Sequence, residues 1–343
     1  MPKLVVDLRS RSAAFRLGDG VAARLVAATP ADWTVHVVTA DTDSGGDGAR
    51  APSDESLREI ADAEVYLGFG MPKPLFLAAQ RLRWMHSASA GVASLLFPEM
   101  LASGVRLTNS AGVYGPPIAE HVLAGVLFFL RGFDVAGASQ RRGAWNPAPF
   151  ATRETFVREV AECRVLVVGT GGIGTEVARR FTALGATVAG VRRRPELGVP
   201  GGFARVLALD AIDAELPRTD VLVLAAPLTD ATRAVLTAER LARLADGAIV
   251  ANVGRGALVD EPALAEALRA GHLRGAVLDV FTHEPLAPDS PLWHLPNVLH
   301  TPHISGVSPR RYWDRLLALF LDNWARYRAG EPLRNLVDAQ AGY

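Results

Sequence analysis

The chain has 343 residues, enough for two domains of ordinary size, and about half of them are hydrophobic, the balance of a globular protein with real cores. Its 36 basic and 36 acidic side chains cancel, which excludes a global field that would draw in nucleic acid or an anionic membrane. The single cysteine, Cys163, excludes an internal disulfide and a cysteine-built zinc site, and lysine occurs only at Lys3 and Lys73, neither in a P-loop string.

The opening stretch MPKLVVDLRS is too short in apolar residues for a signal peptide, and nowhere is there an unbroken apolar run of about 18 residues. A cytoplasmic protein is expected, with neither nucleic acid nor membrane as partner. The segments LVVDL (4–8), TVHVVTA (34–40), EVYLGFG (64–70), RWMHS (83–87) and VRLTNS (105–110) read as strands. Between them VAARLVAA (21–28), ESLREIAD (55–62) and PLFLAAQRL (74–82) have helical spacing, so a parallel sheet covered on both faces is predicted. The polar, glycine-rich stretch 41–55 reads as a mobile surface loop.

The segment PPIAEHVLAGVLFFLRGF (116–133) predicts a long buried helix opened by prolines, in which Glu120 is a buried hydrogen-bonding residue at a hinge. Segment 137–156 reads as irregular. A second α/β pattern begins with RVLVVG at Arg164 and continues through strands ATVAGV (186–191), DVLVLAAP (220–227), GAIVANV (247–253), GAVLDVF (275–281) and NVLHTPH (297–303). Helices ERLARLA (239–245) and EPALAEALRAG (261–271) lie between them. The last helix, 309–330, is predicted to cross back and cover the first domain.

The string VVGTGGIG (167–174) follows a strand and opens a helix. Gly169, Gly171 and Gly174 fit G-x-G-x-x-G, with Thr170, Gly172 and Ile173 between them, a turn whose backbone cradles a dinucleotide pyrophosphate. An acid about 20 residues further on would hold the adenosine ribose and select NAD. That slot holds Arg192, followed by Arg193 and Arg194, and guanidinium groups suit the 2′-phosphate of NADP. A solvated basic turn in an arginine-rich chain is the competing reading. NADP(H) is the preferred cofactor, with NAD(H) possible.

Three later motifs end strands of the same half: NVGRGALVDE (252–261), VLDVFTHEPL (277–286) and HTPHISG (300–306). Ligands of open α/β sheets bind beyond the carboxyl ends of the strands, so these loops should bring Arg255, Glu284 and His303 together. The trio suits hydride transfer to a 2-keto acid. The arginine clamps carboxylate and keto oxygen, the histidine protonates the oxygen, and the glutamate favours the protonated imidazole. An H-x-x-H metal site from His300 and His303, with His283 nearby, lacks a further ligand cluster, so no metal is expected. His36, His86 and His121 read as structural, and Trp145, Trp293 and Trp313 as packing anchors, with Trp293 placed between Glu284 and His303.

These motifs, with APLTDATR (226–233), SPLWHLPNVLHTPHISG (290–306) and SAGVYGPPIAEHVLAGVL (110–127), make the sequence resemble the D-2-hydroxyacid dehydrogenase family over most of its length. The resemblance implies a Rossmann-type coenzyme domain, 113–306, inserted in a flavodoxin-like substrate domain, 1–112 and 307–343. It implies an active site in the cleft and a homodimer. It places Arg255, Glu284 and His303 as the catalytic set and Asp279 near the nicotinamide carboxamide. Ala226, Pro227, Thr232, Val253, Gly254 and Gly306 would lie along the cofactor. Backbone amides of Ala90, Gly91 and Val92 would hold the substrate carboxylate beside Arg255 and His303. The family commonly has an aspartate where this chain has Ala93. Members that reduce glyoxylate or hydroxypyruvate with NADPH also place arginine in the ribose slot. The expected activity is therefore reversible reduction of such a 2-keto acid to a D-2-hydroxy acid. An NAD-dependent dehydrogenase and a nucleotide-sensing, corepressor-like binding protein on the same scaffold are the alternatives. Glu284 in place of glutamine argues against formate dehydrogenase, and the short stretch after the last helix against a regulatory tail.

Overall fold

The computed structural model describes residues 1–41, 51–152 and 155–338, so most of the loop predicted at 41–55 lies outside the described residues. The chain forms two compact units, Met1–Tyr114 with Val307–Tyr343, and Gly115–Gly306. Both are parallel α/β.

In the first unit, strands β1 (Lys3–Asp7), β2 (Thr34–Val37), β3 (Val65–Gly68), β4 (Trp84–Ser87) and β5 (Arg106–Thr108) form a parallel sheet in the order 2-1-3-4-5. This is the flavodoxin-like order. Side chains alternate across a strand. Leu4 and Val6 join one core with Leu67 and Trp84, while Val5 joins the opposite core with Tyr66 and Met85. The helix Pro309–Ala329 covers the first of these faces. Its Phe320 stacks on Trp84 with ring centroids 5.3 Å apart, and its buried Tyr312, Leu316 and Trp324 complete the layer.

The second unit carries seven parallel strands: β6 (Arg164–Val168), β7 (Thr187–Val191), β8 (Arg205–Leu207), β9 (Val221–Leu224), β10 (Ala248–Asn252), β11 (Leu273–Leu278) and β12 (Val298–His300). Their order is β12-β11-β10-β9-β6-β7-β8, the doubly wound order of dinucleotide-binding sheets extended by one strand. The sequence reading missed β8, a three-residue edge strand with an arginine at its start that leaves no periodic signal.

The long helix forms over Gly115–Leu130 and packs on this sheet, with Gly125 against Val277 and Phe129 against Gly275. Gly132, at φ +69°, then turns the chain into a helix over Phe133–Arg141, where irregular structure was expected from residue 137. That helix is held by an ion pair of Asp134 with Arg274 of β11 at 2.6 and 2.7 Å, a long-range contact invisible to local pattern. Among the described residues no single helix is long and apolar enough to cross a membrane.

Candidate active site

The glycine turn between β6 and the helix Gly172–Ala183 uses each glycine differently. Gly169 sits at φ +101°, and a Cβ there would come within 2.7 Å of the Ala225 carbonyl and the Ala226 amide. At Gly174 a Cβ would lie 1.9 Å from the Gly169 carbonyl oxygen, so helix and strand approach too closely for any side chain. At Gly171, the residue before the helix, a Cβ would meet nothing within 4 Å. The open position is thus the one in front of the helix N-terminus, where a pyrophosphate would sit and a side chain would intrude. Thr170 is buried and packs its methyl towards Gly190, and its carbonyl accepts the Thr175 hydroxyl, which ties the turn down. Gly172 and Ile173 form the first helical turn. These residues fit a dinucleotide.

The arginines leave the adjacent strand end. Gly169 N–H donates to the Val191 carbonyl (2.8 Å), and Arg192 N–H to the Leu207 carbonyl (3.0 Å), so the glycine turn and Arg192 occupy one rim of the sheet. Arg192 is half-buried, whereas Arg193 and Arg194 are exposed. After β9, Ala226 is buried, and the Thr232 hydroxyl donates to the Pro227 carbonyl (2.7 Å) and accepts from Thr229 N–H (2.8 Å). Thr232 thereby shapes this loop from within.

The ends of β10, β11 and β12 are level, because Asn252 pairs with Leu278 and Leu278 with His300. Beyond β10, Val253 and Gly254 are buried and Asn252 bonds both the Gly254 amide and the Arg255 carbonyl. Arg255 follows, half-buried, with its guanidinium on the Gly254 carbonyl at 2.8 Å. The next residue, Gly256, touches the backbone after β11: a Cβ on it would lie 1.8 Å from the Phe281 carbonyl carbon. The segment 254–256 is therefore pressed against the segment carrying Glu284.

Glu284 accepts Phe281 N–H at Oε1 (3.0 Å), and its Oε2 lies 2.8 Å from His303 Nδ1. His303 sits at φ +54°, a conformation that disfavours a side chain by about 1 kcal/mol. Its own N–H is held by the Asp279 carbonyl (2.9 Å). The Asp279 carboxylate grips the rest of the segment, accepting the Thr301 hydroxyl (2.5 Å), Ile304 N–H (2.9 Å) and Ser305 N–H (3.0 Å). With no exposed surface, Asp279 presents nothing to a carboxamide in this conformation; its visible work is to hold the loop of His303. Thr301 also lies 3.2 Å from His121 Nε2. Thr301 and Gly256 were not singled out in the sequence. A threonine two residues before the histidine and a glycine straight after the arginine were the available signals. Gly306 closes this unit.

In the first unit, Ala90, Gly91 and Val92 follow β4, with the Ala90 carbonyl held by the Asn109 side chain (3.0 Å). Ala90 and Gly91 are half-buried and Val92 is buried. Ala93 is exposed and starts a short 3₁₀ turn.

Glu120 is not the buried residue expected. It is 70% exposed and pairs with Arg180 at 3.3 Å, because residue 120 falls on the outer side of its helix. His86 is buried between Thr108 and Ser110, and its burial pushes its pKa down to about 3. His36 pairs with Glu55. Trp313 lies in a core, Trp145 is 97% exposed, and Trp293 borders a cleft of about 630 Å³ that also includes His300, Glu284 and His303. Burial raises the Cys163 thiol to about 11.

A doubly wound sheet with this glycine turn, and an imidazole–carboxylate pair beyond its strand ends, defines a nicotinamide-type oxidoreductase. Residues 123–305 match the family model described as D-isomer specific 2-hydroxyacid dehydrogenase, NAD binding domain. Glyoxylate/hydroxypyruvate reductase A of Salmonella newport is 34% identical over 280 residues, 79% of this chain and 85% of that protein. The D-isomer specific 2-hydroxyacid dehydrogenase of Xanthobacter autotrophicus, solved with NADPH and MES, superposes with a TM-score of 0.79 at 32% identity, covering 100% of this chain and 99% of its own. The NADPH-dependent glyoxylate/hydroxypyruvate reductase of Sinorhizobium meliloti, solved with NADP and sulfate, also gives 0.79, at 29% identity and full coverage of both chains. The chain belongs to the D-isomer specific 2-hydroxyacid dehydrogenases, NAD(P)-dependent oxidoreductases.

Proposed function

We propose that the protein reduces a 2-keto acid to the D-2-hydroxy acid with NADPH, reversibly, and that glyoxylate and hydroxypyruvate are the first substrates to test. The observation that carries this reading is the 2.8 Å contact of His303 Nδ1 with Glu284. An ionised carboxylate only accepts, so Nδ1 carries the proton of that bond and Nε2 is left for the substrate. In reduction His303 Nε2 gives its proton to the keto oxygen, and in oxidation it takes the hydroxyl proton back. Arg255 pairs with the carboxylate and polarises the carbonyl. When bound, the nicotinamide supplies the hydride that C2 receives.

The glycine turn holds the pyrophosphate, and Arg192 with Arg193 and Arg194 answers the 2′-phosphate. The two structural neighbours solved with NADPH or NADP support that preference. The protein acts as a homodimer, a reading supported by 57% exposure of Phe133 and 97% exposure of Trp145. Light scattering at micromolar concentration tests it, and a monomer refutes it.

The deciding experiment runs the purified protein against a 2-keto acid panel with NADPH and NADH, beside His303→Ala. Turnover with NADPH and its loss by a factor of about 10² to 10⁴ in the variant, with NADPH still bound, is expected. Normal turnover by the variant removes His303 from the mechanism. No turnover of any 2-keto acid removes the function.

A further inference from the structure

We infer that the cleft beside His303 is a subsite for an apolar substituent on C2, so that the preferred substrates are 2-keto acids with branched aliphatic or aromatic side chains. The inference rests on the proposal that His303 and Glu284 reduce a 2-keto acid. The cleft opens directly from that pair and holds about 630 Å³. Glyoxylate has only hydrogen at this position and would leave that space to water.

The walls are hydrocarbon. Phe281, Pro285, Leu286 and Pro302 line the cleft, and Trp293 borders it with 43% of its surface exposed. The indole N–H of Trp293 is committed to the Ala287 carbonyl at 2.8 Å, and the ring is fixed edge-to-face against His300 with centroids 4.5 Å apart. The tryptophan is thereby held rigid and presents carbon to the cleft.

The polar side chains in the walls are engaged within the protein. Glu284 bonds Phe281 N–H and His303, and the Thr301 hydroxyl bonds Asp279 and His121. The remaining lining side chains Phe281, Pro285, Leu286 and Pro302 carry no polar group for the 3-hydroxyl of hydroxypyruvate. That hydroxyl gains nothing from the carbon walls, whereas an isobutyl or benzyl group would displace water from carbon surface. Burial of one methylene favours binding by about fourfold, so even partial burial of a four-carbon substituent gives at least about tenfold.

The test compares kcat/KM for 4-methyl-2-oxopentanoate, phenylpyruvate, hydroxypyruvate and glyoxylate with NADPH. The parent protein, Trp293→Ala and Trp293→Phe are all assayed, and NADPH binding is checked in each. The expected result is a preference of at least tenfold for an apolar substrate over glyoxylate. Trp293→Ala should lower that ratio at least tenfold, mainly through KM, and Trp293→Phe should largely retain it. Preference for glyoxylate or hydroxypyruvate in the parent, or equal losses for all substrates in Trp293→Ala, overturns the subsite while leaving the keto-acid reductase standing. Failure to reduce any of the four overturns the underlying function instead.

Discussion

Replacing Gly256 with alanine tests how Arg255 is positioned without touching any group that meets substrate. The added Cβ would lie 1.8 Å from the carbonyl carbon of Phe281, 2.1 Å from Thr282 N and 2.2 Å from the Phe281 oxygen. All three are backbone atoms, so no rotamer change relieves the overlap. Restoring ordinary contact near 3.5 Å requires the two segments to part by about 1.5 Å. One segment carries Arg255, and the other carries Phe281, whose amide holds Glu284. A misplacement of about 1 Å costs on the order of 10² in rate, so kcat should fall by about that factor or more. Overpacking of this kind also costs about 1–3 kcal/mol, which lowers the midpoint of a unit this size by roughly 2–12 °C. The assay is steady-state turnover with saturating NADPH, beside NADPH titration by fluorescence and thermal unfolding. Val253 and Gly254, expected along the cofactor, adjoin the displaced residue, so the NADPH titration separates any loss of binding from the loss of turnover at saturating NADPH. Turnover within threefold of the parent refutes the claim that this backbone contact sets the site.

Arg192 and Arg193 changed together to alanine should weaken NADPH by about 10- to 100-fold, the scale of charge-assisted bonds to phosphate, and NADH by less than about threefold. Equal losses would remove the phosphate-binding role. Thr301→Val deprives Asp279 of one donor and His121 of its partner, so kcat should drop about tenfold with NADPH binding retained and with recovery in Thr301→Ser. No recovery in the serine variant would mean that bulk rather than the hydroxyl matters. Acid stability gives a further check. Burial holds His86 neutral, with a folded pKa of about 3 against 6.5 for an exposed histidine. Between those values the unfolded chain binds the extra proton, so stability falls as pH falls through 6.5 and goes on falling to about 3. From pH 7 to pH 5 this one group costs about 2 kcal/mol, which urea unfolding at the two pH values can read. His86→Asn should flatten that slope, and an unchanged slope would assign it elsewhere.

The strands that were legible in the sequence are those with a buried, repeating pattern. β6, β9 and β10 are apolar runs ended by glycine, proline or asparagine, and their register follows because both faces are covered. The helix after Phe133 was hidden because its stability comes from Asp134 meeting a residue 140 positions away. The same distinction governs the reading of Glu120. Eight of the sixteen residues in its helix are buried, but facing is decided by which side meets β10 and β11, and residue 120 falls outside.

The candidate site divides along the same line. Arg255, Glu284 and His303 stand out in the sequence as charged or titratable residues set among glycines and prolines at strand ends. What holds them is less visible, because it is made of main chain. His303 adopts a left-handed backbone that no local propensity favours, stabilised by the Asp279 carbonyl on its own amide and the Asp279 carboxylate on the two amides that follow. A buried carboxylate that accepts three donors from one segment is committed to that segment, since each donor lost leaves a desolvated oxygen at a cost of about 1–3 kcal/mol. Asp279 therefore fixes where His303 can stand, and Glu284 fixes which nitrogen faces outward. Neither restraint could be inferred from spacing, because both depend on β11 and β12 being neighbours with level ends.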